Sequence, residues 1–363
     1  MKVSNDMTFI DIKKEEFEPF FLDIKERYLS STNFPKLIIG TGLSIAIGVP
    51  GMFELADKLD EEFQAIGDET LSKAWAKYEE KIKTKGLEAA LLDISTNEEF
   101  FVEKIREITS EFILDEEYKQ HAKILNSASG FESLLKYLSE TVSINNQIID
   151  IMTPNYDRII EIICDKLKLP LTLGFSGNLY QRFDENILKT PHAFYSKNIT
   201  LVRLFKPHGS VNWIKEDGKD YQLNDYRRLK VKKENINIIA PGSFKYKSSM
   251  VNSVFRYHRE IFNELISESK KSYSIFIYGY GFNDQHFNTA FEDTKKDVLV
   301  LTKTMKKSFL EKAMKNKNWT LFYKNEEDKE ELKLGCYMIY KGQQYSLNED
   351  LWDMDVFSKV FLG

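Results

Sequence analysis

The sequence predicts an α/β fold, a doubly wound, Rossmann-like and mostly parallel sheet with an inserted helical subdomain. Short apolar runs recur along the chain, and each ends in glycines or small polar residues. Such runs without strict alternation are typical of strands buried on both faces of a parallel sheet. Several are followed by apolar residues at helical spacing, as from Ile159 to Cys164. The predicted strands are Lys36–Ile39, Gln147–Met152, Thr200–Phe205, Asn235–Ala240, Ser272–Tyr278 and Asp297–Leu301.

A long helical segment separates the first two predicted strands. Its three apolar stripes start at Met52, Phe101 and Phe131. Because residues 52–146 far exceed a simple crossover connection, we predict a helical insertion subdomain there. Residues 1–51 and 147–363 then form one Rossmann-type nucleotide-binding domain with a C-terminal extension. The extension carries two strand-like runs, Thr320–Tyr323 and Cys336–Tyr340, and a short terminal helix.

Composition and charge exclude several functional classes. The 363 residues include 51 Lys and Arg against 56 Asp and Glu, and the net charge of −5 argues against a phosphate-driven nucleic-acid binder. Two basic runs, Arg227–Lys233 and Lys303–Lys317, are expected to be a solvated loop and a solvated helix face, with a nucleic-acid surface as the alternative. The two cysteines, Cys164 and Cys336, are too few for a disulfide framework or a cysteine-rich zinc site.

The expected location is the cytoplasm. The first residues interleave charges and lack the apolar core of a signal peptide. No apolar run approaches the length of about 18 residues that spans a membrane.

Polar clusters follow the predicted strands, where doubly wound sheets bind ligands. After the first strand, Gly40, Gly42 and Ser44 form a Gly-x-Gly-x-Ser loop. Its glycines would let the backbone approach a pyrophosphate, with N–H groups and the Ser44 hydroxyl as donors. The loop lacks the third glycine of the dehydrogenase fingerprint and the Gly-Lys-Ser/Thr end of a triphosphate loop. A tight strand-to-helix turn is the alternative.

Three further clusters follow later strands. Asn155 and Asp157 can face the crevice, where an Asn amide orients a water or a ribose hydroxyl; a helix cap is the alternative. His208 precedes a glycine and suits general-base work, although a lone His is more often structural. Gly279 to Asp284 could hold an adenosine ribose, or could be a loop needing positive backbone φ.

The order and type of these motifs together resemble the sirtuin superfamily. That family has a Gly-x-Gly-x-Ser loop followed by Gly-Ile-Pro, then Thr-Gln-Asn-x-Asp, then a His-Gly pair. The corresponding residues here are Gly40–Ser44 with Gly48-Val49-Pro50, Thr153-Pro154-Asn155-Tyr156-Asp157, and His208-Gly209. The resemblance spans roughly residues 36–305 and implies an NAD-binding Rossmann-type domain.

Departures from the family pattern weigh against acyl-lysine chemistry. Sirtuin deacylases usually carry a four-cysteine zinc module, which two cysteines cannot build. The family's Gln is Pro154, and its Asp-Phe-Arg is replaced by Gly51-Met52-Phe53-Glu54. The chain is more similar to zinc-less sirtuin-like proteins of bacterial anti-phage defence, which carry Asn-Tyr-Asp and His-Gly-Ser loops.

This resemblance implies an NAD glycohydrolase that cleaves NAD to nicotinamide and ADP-ribose during infection, without a metal. Asn155 would hold a water or the ribose hydroxyls, and His208 would act as general base. Asp157 would contact the nicotinamide carboxamide or support its loop, and Asp284 would take the adenosine ribose. The other implied nucleotide-binding residues are Gly40, Thr41, Gly42, Ser44, Gly209, Ser210 and Gly279.

The resemblance also implies partners and leaves other functions open. A free NADase would poison its host, so we expect a homo-oligomer, or a pairing with a hexameric HerA-type ATPase, mediated by the helical insertion and the C-terminal tail. The alternatives are an NAD-dependent protein deacylase, a non-catalytic sensor of NAD or ADP-ribose, and a nucleic-acid-binding scaffold.

Overall fold

The computed structural model describes residues 7–92, 94, 98–142, 147–196, 199–242, 253–267, 272–282, 294–324 and 336–363. The predicted α/β fold is confirmed, with a ten-stranded and a five-stranded sheet. The strands of the described residues are β1 (Thr8–Ile10), β2 (Lys36–Ile39), β3 (Ile148–Met152), β4 (Leu171–Thr172), β5 (Phe175–Gly177), β6 (Gln181–Phe183), β7 (Leu201–Phe205), β8 (Gly209–Glu216), β9 (Lys219–Gln222), β10 (Ile236–Ile238), β11 (Ile275–Tyr278), β12 (Val298–Thr302), β13 (Trp319–Tyr323), β14 (Cys336–Tyr340) and β15 (Gln343–Leu347).

Thirteen α-helices lie in the described ranges. They are α1 (Glu18–Leu29), α2 (Thr41–Ile47), α3 (Met52–Ala65), α4 (Glu69–Lys85), α5 (Leu87–Leu91), α6 (Glu99–Asn126), α7 (Gly130–Thr141), α8 (Ile159–Lys166), α9 (Glu185–Lys189), α10 (Tyr226–Val231), α11 (Ser253–Ser267), α12 (Lys307–Lys315) and α13 (Met354–Phe361). Short 3-10 turns occur at Glu15–Phe17, Pro191–Ala193 and Lys233–Asn235. No helix of the described part is long and apolar enough to cross a bilayer.

The larger sheet has the strand order β1-β15-β14-β13-β12-β11-β2-β3-β7-β4, and its central strands run parallel. Both of its faces are covered, as alternate residues of β2 show. Leu37 and Ile39 join one apolar core, while Ile38 joins the core of the opposite face. This two-sided burial explains why the strand sequences are mostly apolar and lack a strict alternation with polar residues. The antiparallel pairs β13–β14 and β14–β15 extend the sheet with the predicted tail strands.

One predicted strand belongs to a different sheet. Asn235–Ala240 contains β10, which pairs antiparallel with β8 in the sheet of order β10-β8-β9-β6-β5. The prediction that it joins the parallel sheet is therefore wrong. The sequence contains a hairpin signal in this region, the pair Asp217-Gly218. The two residues connect β8 to β9, and both have positive φ. An Asp-Gly pair of this kind favours a two-residue antiparallel turn.

The helical segment contains a separate apolar core, formed by residues of α3, α4, α5 and the first half of α6, among them Phe63, Trp75 and Phe101. Its last helix behaves differently, since Phe131 and Leu134 of α7 pack in the core of the main sheet, next to α13. The division into an inserted helical subdomain remains a prediction.

Four loops leave the main sheet at one edge. β11, β2, β3 and β7 are parallel neighbours, and their last residues are in register or nearly so: Tyr278 opposite Ile39, and Met152 opposite Phe205. The residues that follow these strands therefore meet above the sheet, as the order of the polar clusters predicts.

Candidate functional site

A cavity opens at this edge of the sheet. Its empty volume is about 770 Å³, which includes solvent space at the open mouth. The lining residues are Thr41, Ser44, Pro50, Gly51, Met52, Leu55, Glu88, Ile113, Pro154, Asn155, Tyr156, Asp157, His208, Tyr280 and Gly281.

Five of the predicted site residues line this cavity. They are Thr41, Ser44, Asn155, Asp157 and His208. Five others are not among the lining residues, namely Gly40, Gly42, Gly209, Ser210 and Gly279. Asp284 and the helix predicted after it lie outside the described residues.

The loops after β2 and β11 meet through glycines. The N–H groups of Gly40 and Gly42 donate to the carbonyl oxygens of Tyr278 and Gly279, at 2.8 and 2.9 Å. A Cβ on Gly42 would lie 2.5 Å from the Cα of Gly279, which itself has φ +60°. These glycines are required by the loop contact. The backbone of this loop is predicted to contact a pyrophosphate, but the N–H groups of Gly40 and Gly42 donate to protein carbonyls.

Ser44 links the two loops that follow β2 and β3. Its Oγ donates to Oδ2 of Asp157 at 2.6 Å and accepts from Nδ2 of Asn155 at 2.9 Å. The second proton of that amide goes to the Gly40 carbonyl at 3.0 Å. Since a serine hydroxyl has one proton, Ser44 donates it to Asp157 and not to a pyrophosphate, the role predicted for it.

This network fixes the orientation of Asn155. Both protons of its side-chain amide are engaged, and its backbone N–H donates to Oγ1 of Thr153 at 3.1 Å. No group of the described residues donates to its carbonyl oxygen Oδ1. Because Asn155 lines the cavity, Oδ1 is the atom of this side chain available to accept a hydrogen bond from a bound molecule.

Asp157 is buried beneath the network. Its Oδ1 accepts from the N–H of Ile159, which starts α8. Burial raises the pKa of Asp157, although the Lys206 charge and the Ser44 hydrogen bond act in the opposite direction. Its two hydrogen-bond donors, the Ser44 hydroxyl and the Ile159 N–H, are protein groups that hold this loop.

His208 lines the cavity from the turn between β7 and β8. Its carbonyl accepts from the Ile239 N–H at 2.9 Å, and Gly209 follows with φ +85°. A Cβ on Gly209 would lie 2.4 Å from the carbonyl oxygen of Asn237. The glycine is thus explained by the approach of β10, and it turns the chain so that β8 starts directly after His208.

Ser210 is fully buried at the start of β8. Its Oγ lies 2.9 Å from Nζ of Lys206 and donates to the carbonyl of Tyr156 at 3.2 Å. The structure therefore places it under the site, against protein groups, although it was predicted to bind the nucleotide.

The helical segment supplies lining residues that the sequence analysis did not identify. Met52 and Leu55 of α3, Glu88 of α5 and Ile113 of α6 close one side of the cavity. The spacing of apolar residues in this segment predicts buried helix faces. It does not indicate which part of the sheet each helix packs against. α6 is tied to the site by Glu117, whose buried carboxylate binds the Arg158 side chain at 2.7 Å.

The two basic runs have separate environments. Lys230 and Lys233 pair with Glu111 of α6 at 2.6 and 2.9 Å, and their run forms α10 and a 3-10 turn instead of the predicted loop. The second run contains α12, whose lysines are largely exposed, as expected. Among the described residues, no group of three or more His, Cys, Asp or Glu side chains is arranged to hold a metal.

The fold and its crevice define a Rossmann-type α/β protein with a cavity at the carboxyl ends of parallel strands. Residues 150–333, about half of the chain, match the SIR2-like domain family, and the chain belongs to that family. No curated protein matches the chain. A SIR2-like domain indicates NAD-related, sirtuin-type activity and fits NAD as the substrate. The predicted membership of the sirtuin superfamily is confirmed.

Proposed function

We propose that this protein is an NAD glycohydrolase, which releases nicotinamide and leaves ADP-ribose. The observation that carries the proposal is the placement of Asn155 and His208 in one cavity at the carboxyl ends of β3 and β7. Two loops separated by more than fifty residues bring an amide oxygen and an imidazole to one space. This pair suits water activation at a sugar carbon, and the family match supports NAD as the molecule bound.

Asn155 has the positioning role in this proposal. Its amide protons are held by Gly40 and Ser44, so that Oδ1 is the free acceptor. An acceptor held in this way can orient a water, or bind a ribose hydroxyl beside the glycosidic bond. Pre-organised acceptors cost no reorganisation when charge develops at the reacting carbon.

His208 is the proposed general base. A neutral imidazole can accept a proton from water or from a ribose hydroxyl. The carbonyl of His208 accepts from the N–H of Ile239, the residue that follows β10. Breaking the bond to nicotinamide forms a cationic, oxocarbenium-like sugar, and the leaving group departs neutral.

Thr41 and the buried surface of α3 complete the binding site in this proposal. Thr41 starts α2 and lines the cavity with Gly281 of the loop after β11. Met52, Leu55 and Ile113 are apolar and exclude water around the reacting centre. The helical segment at 52–146 would then act as an inserted subdomain that covers the nucleotide.

The test is incubation of the purified chain with NAD, with nicotinamide and ADP-ribose quantified by chromatography. Equal molar release of both products supports the proposal. Release of O-acyl-ADP-ribose only with an acyl-lysine peptide would show a deacylase. Binding of NAD without release of nicotinamide, both by the chain alone and by the chain co-expressed with its genomic neighbour, would show a sensor and would contradict the proposal.

We further propose that NAD depletion serves anti-phage defence and is gated by assembly. The resemblance to zinc-less sirtuin-like defence proteins supports this role, with a homo-oligomer or a hexameric HerA-type ATPase as the partner. Size measurement of the purified chain, alone and co-expressed with its genomic neighbour, tests the assembly. A monomer with the same unregulated activity in both preparations would contradict it.

A further inference from the structure

Lys206 is a fully buried lysine beneath the cavity. It follows β7 directly, and its Nζ reaches four groups. It donates to the backbone carbonyls of Tyr156 and Asp157, to Oε1 of Glu161 at 3.0 Å, and it lies 2.9 Å from Oγ of Ser210. A buried ammonium is retained only where its protons and charge are satisfied. Here the partners come from the loop after β3, from α8 and from β8.

These contacts join the two chain segments that carry the proposed catalytic pair. Tyr156 is the residue after Asn155, and Lys206 itself lies two residues before His208. The backbone at Lys206 makes a further contact, because its N–H donates to Nδ1 of His258 at 3.1 Å. The Lys206 side chain therefore links the backbone next to Asn155 to the segment that leads into His208.

The same sheet contains a second buried cation for comparison. Arg203 lies three residues earlier on β7, and its Nε binds Oδ1 of Asp150 at 2.7 Å. Its other partner is the carbonyl of Leu188 at 2.7 Å. None of these residues lines the cavity. Arg203 thus has similar burial and a similar carboxylate partner, without a connection to the site loops.

We propose that Lys206 is a positioning residue, which holds the Asn155 loop in register with His208 by binding the carbonyls of Tyr156 and Asp157. This inference rests on the proposed function, in which Asn155 and His208 act on one substrate. It assigns no contact between Lys206 and the nucleotide, because other protein groups surround Nζ. Loss of the ammonium would leave the cavity residues present but misaligned.

The experiment compares Lys206→Met with Arg203→Met in the full chain. Misalignment by about 1 Å costs roughly 100-fold in rate, so we expect Lys206→Met to lower kcat about 100-fold with KM within about threefold. Arg203→Met should keep the wild-type kcat per folded molecule. Hydrogen exchange followed by mass spectrometry should show faster exchange at residues 153–158 in Lys206→Met alone.

Each result decides the inference. Unchanged exchange at residues 153–158 in Lys206→Met overturns it, and so does an equal loss of kcat in Arg203→Met. If Lys206→Met does not fold, Glu161→Gln replaces it; a several-fold lower kcat with faster exchange supports the inference, and wild-type behaviour overturns it. A wild-type chain that releases no nicotinamide contradicts the proposed function only, and the exchange comparison still decides the role of Lys206.

Discussion

The hydroxyl of Ser44 donates a hydrogen bond to the Oδ2 of Asp157 across 2.6 Å, although the two residues are 113 positions apart in the chain. The bond joins α2, which follows β2, to the loop that follows β3. Ser44 also accepts from the amide of Asn155 at 2.9 Å. Hydrogen bonds therefore connect the buried carboxyl of Asp157, through Ser44, to Asn155 at the cavity wall. They join two of the loops that the motifs predict to lie together.

Removing this hydroxyl should weaken both the fold and the site. In Ser44→Ala, Asp157 loses a buried donor and Asn155 loses an acceptor, which costs about 1–3 kcal/mol in the free energy of unfolding. We expect kcat for nicotinamide release to fall about tenfold, because Asn155 is less well oriented. Urea unfolding and product assays measure the two effects. Ser110→Ala is the control, since among the described residues that buried hydroxyl binds the Glu107 carbonyl of its own helix alone, and it should keep wild-type kcat.

The two cavity residues should be needed for activity and dispensable for folding. We expect Asn155→Ala and His208→Ala each to lower the rate of NAD consumption at least about 100-fold, the usual size of a lost acid–base or positioning group. His121→Ala is the matched control, because that imidazole is exposed on α6 and should leave the rate unchanged. Circular dichroism checks the fold. Full activity in both purified variants would contradict the catalytic roles proposed for Asn155 and His208.

The glycine contact between the loops after β2 and β11 predicts a steric effect on stability. Gly279 and Gly67 have similar φ values, +60° and +68°, but a Cβ on Gly67 meets no atom within 4 Å. Gly67→Ala should cost only the left-handed backbone conformation, about 1–2 kcal/mol. Gly279→Ala should cost about 2 kcal/mol more, because its Cβ would lie 2.6 Å from the Cα of Gly42. Equal unfolding midpoints for the two variants would show that the loops adjust freely.

His258 should make the protein sensitive to mild acid. Burial lowers the pKa of His258 to about 3, whereas an unfolded imidazole titrates near 6.5. Below pH 6.5 the imidazole of His258 is protonated in the unfolded state but stays neutral in the folded state. The free energy of unfolding therefore falls as the pH drops toward 3. Between pH 6.5 and 4 this group contributes a loss of about 3 kcal/mol.

The variant His258→Gln isolates this contribution. Its side-chain oxygen can still accept from the Lys206 N–H, but it does not titrate. Unfolding by urea at a series of pH values should give a shallower slope between pH 6.5 and 4 than in the wild type. Identical slopes would show that His258 takes up its proton without cost in the folded state.

Much of the parallel sheet could be predicted from the sequence. β2 has the predicted bounds, Lys36–Ile39, because three consecutive apolar residues directly before a glycine favour a short strand that is buried on both faces of a sheet. Asn155 and His208 were expected in one crevice for the same reason, since parallel neighbouring strands end at one edge. β8 to β10 were missed as a separate sheet, because antiparallel pairing there depends on partners that the apolar pattern does not identify.

The sequence alone determined the fold class, the superfamily and the loops that surround the cavity, because burial periodicity and motif order are local properties of the chain. Only the tertiary structure decided what each polar atom binds. It directs the Ser44 proton to Asp157, explains Gly42 by Gly279, and places Ser210 beneath the site against Lys206. Hydrogen bonds and close contacts between distant segments depend on where the folded chain places those segments. A local sequence pattern does not predict these positions.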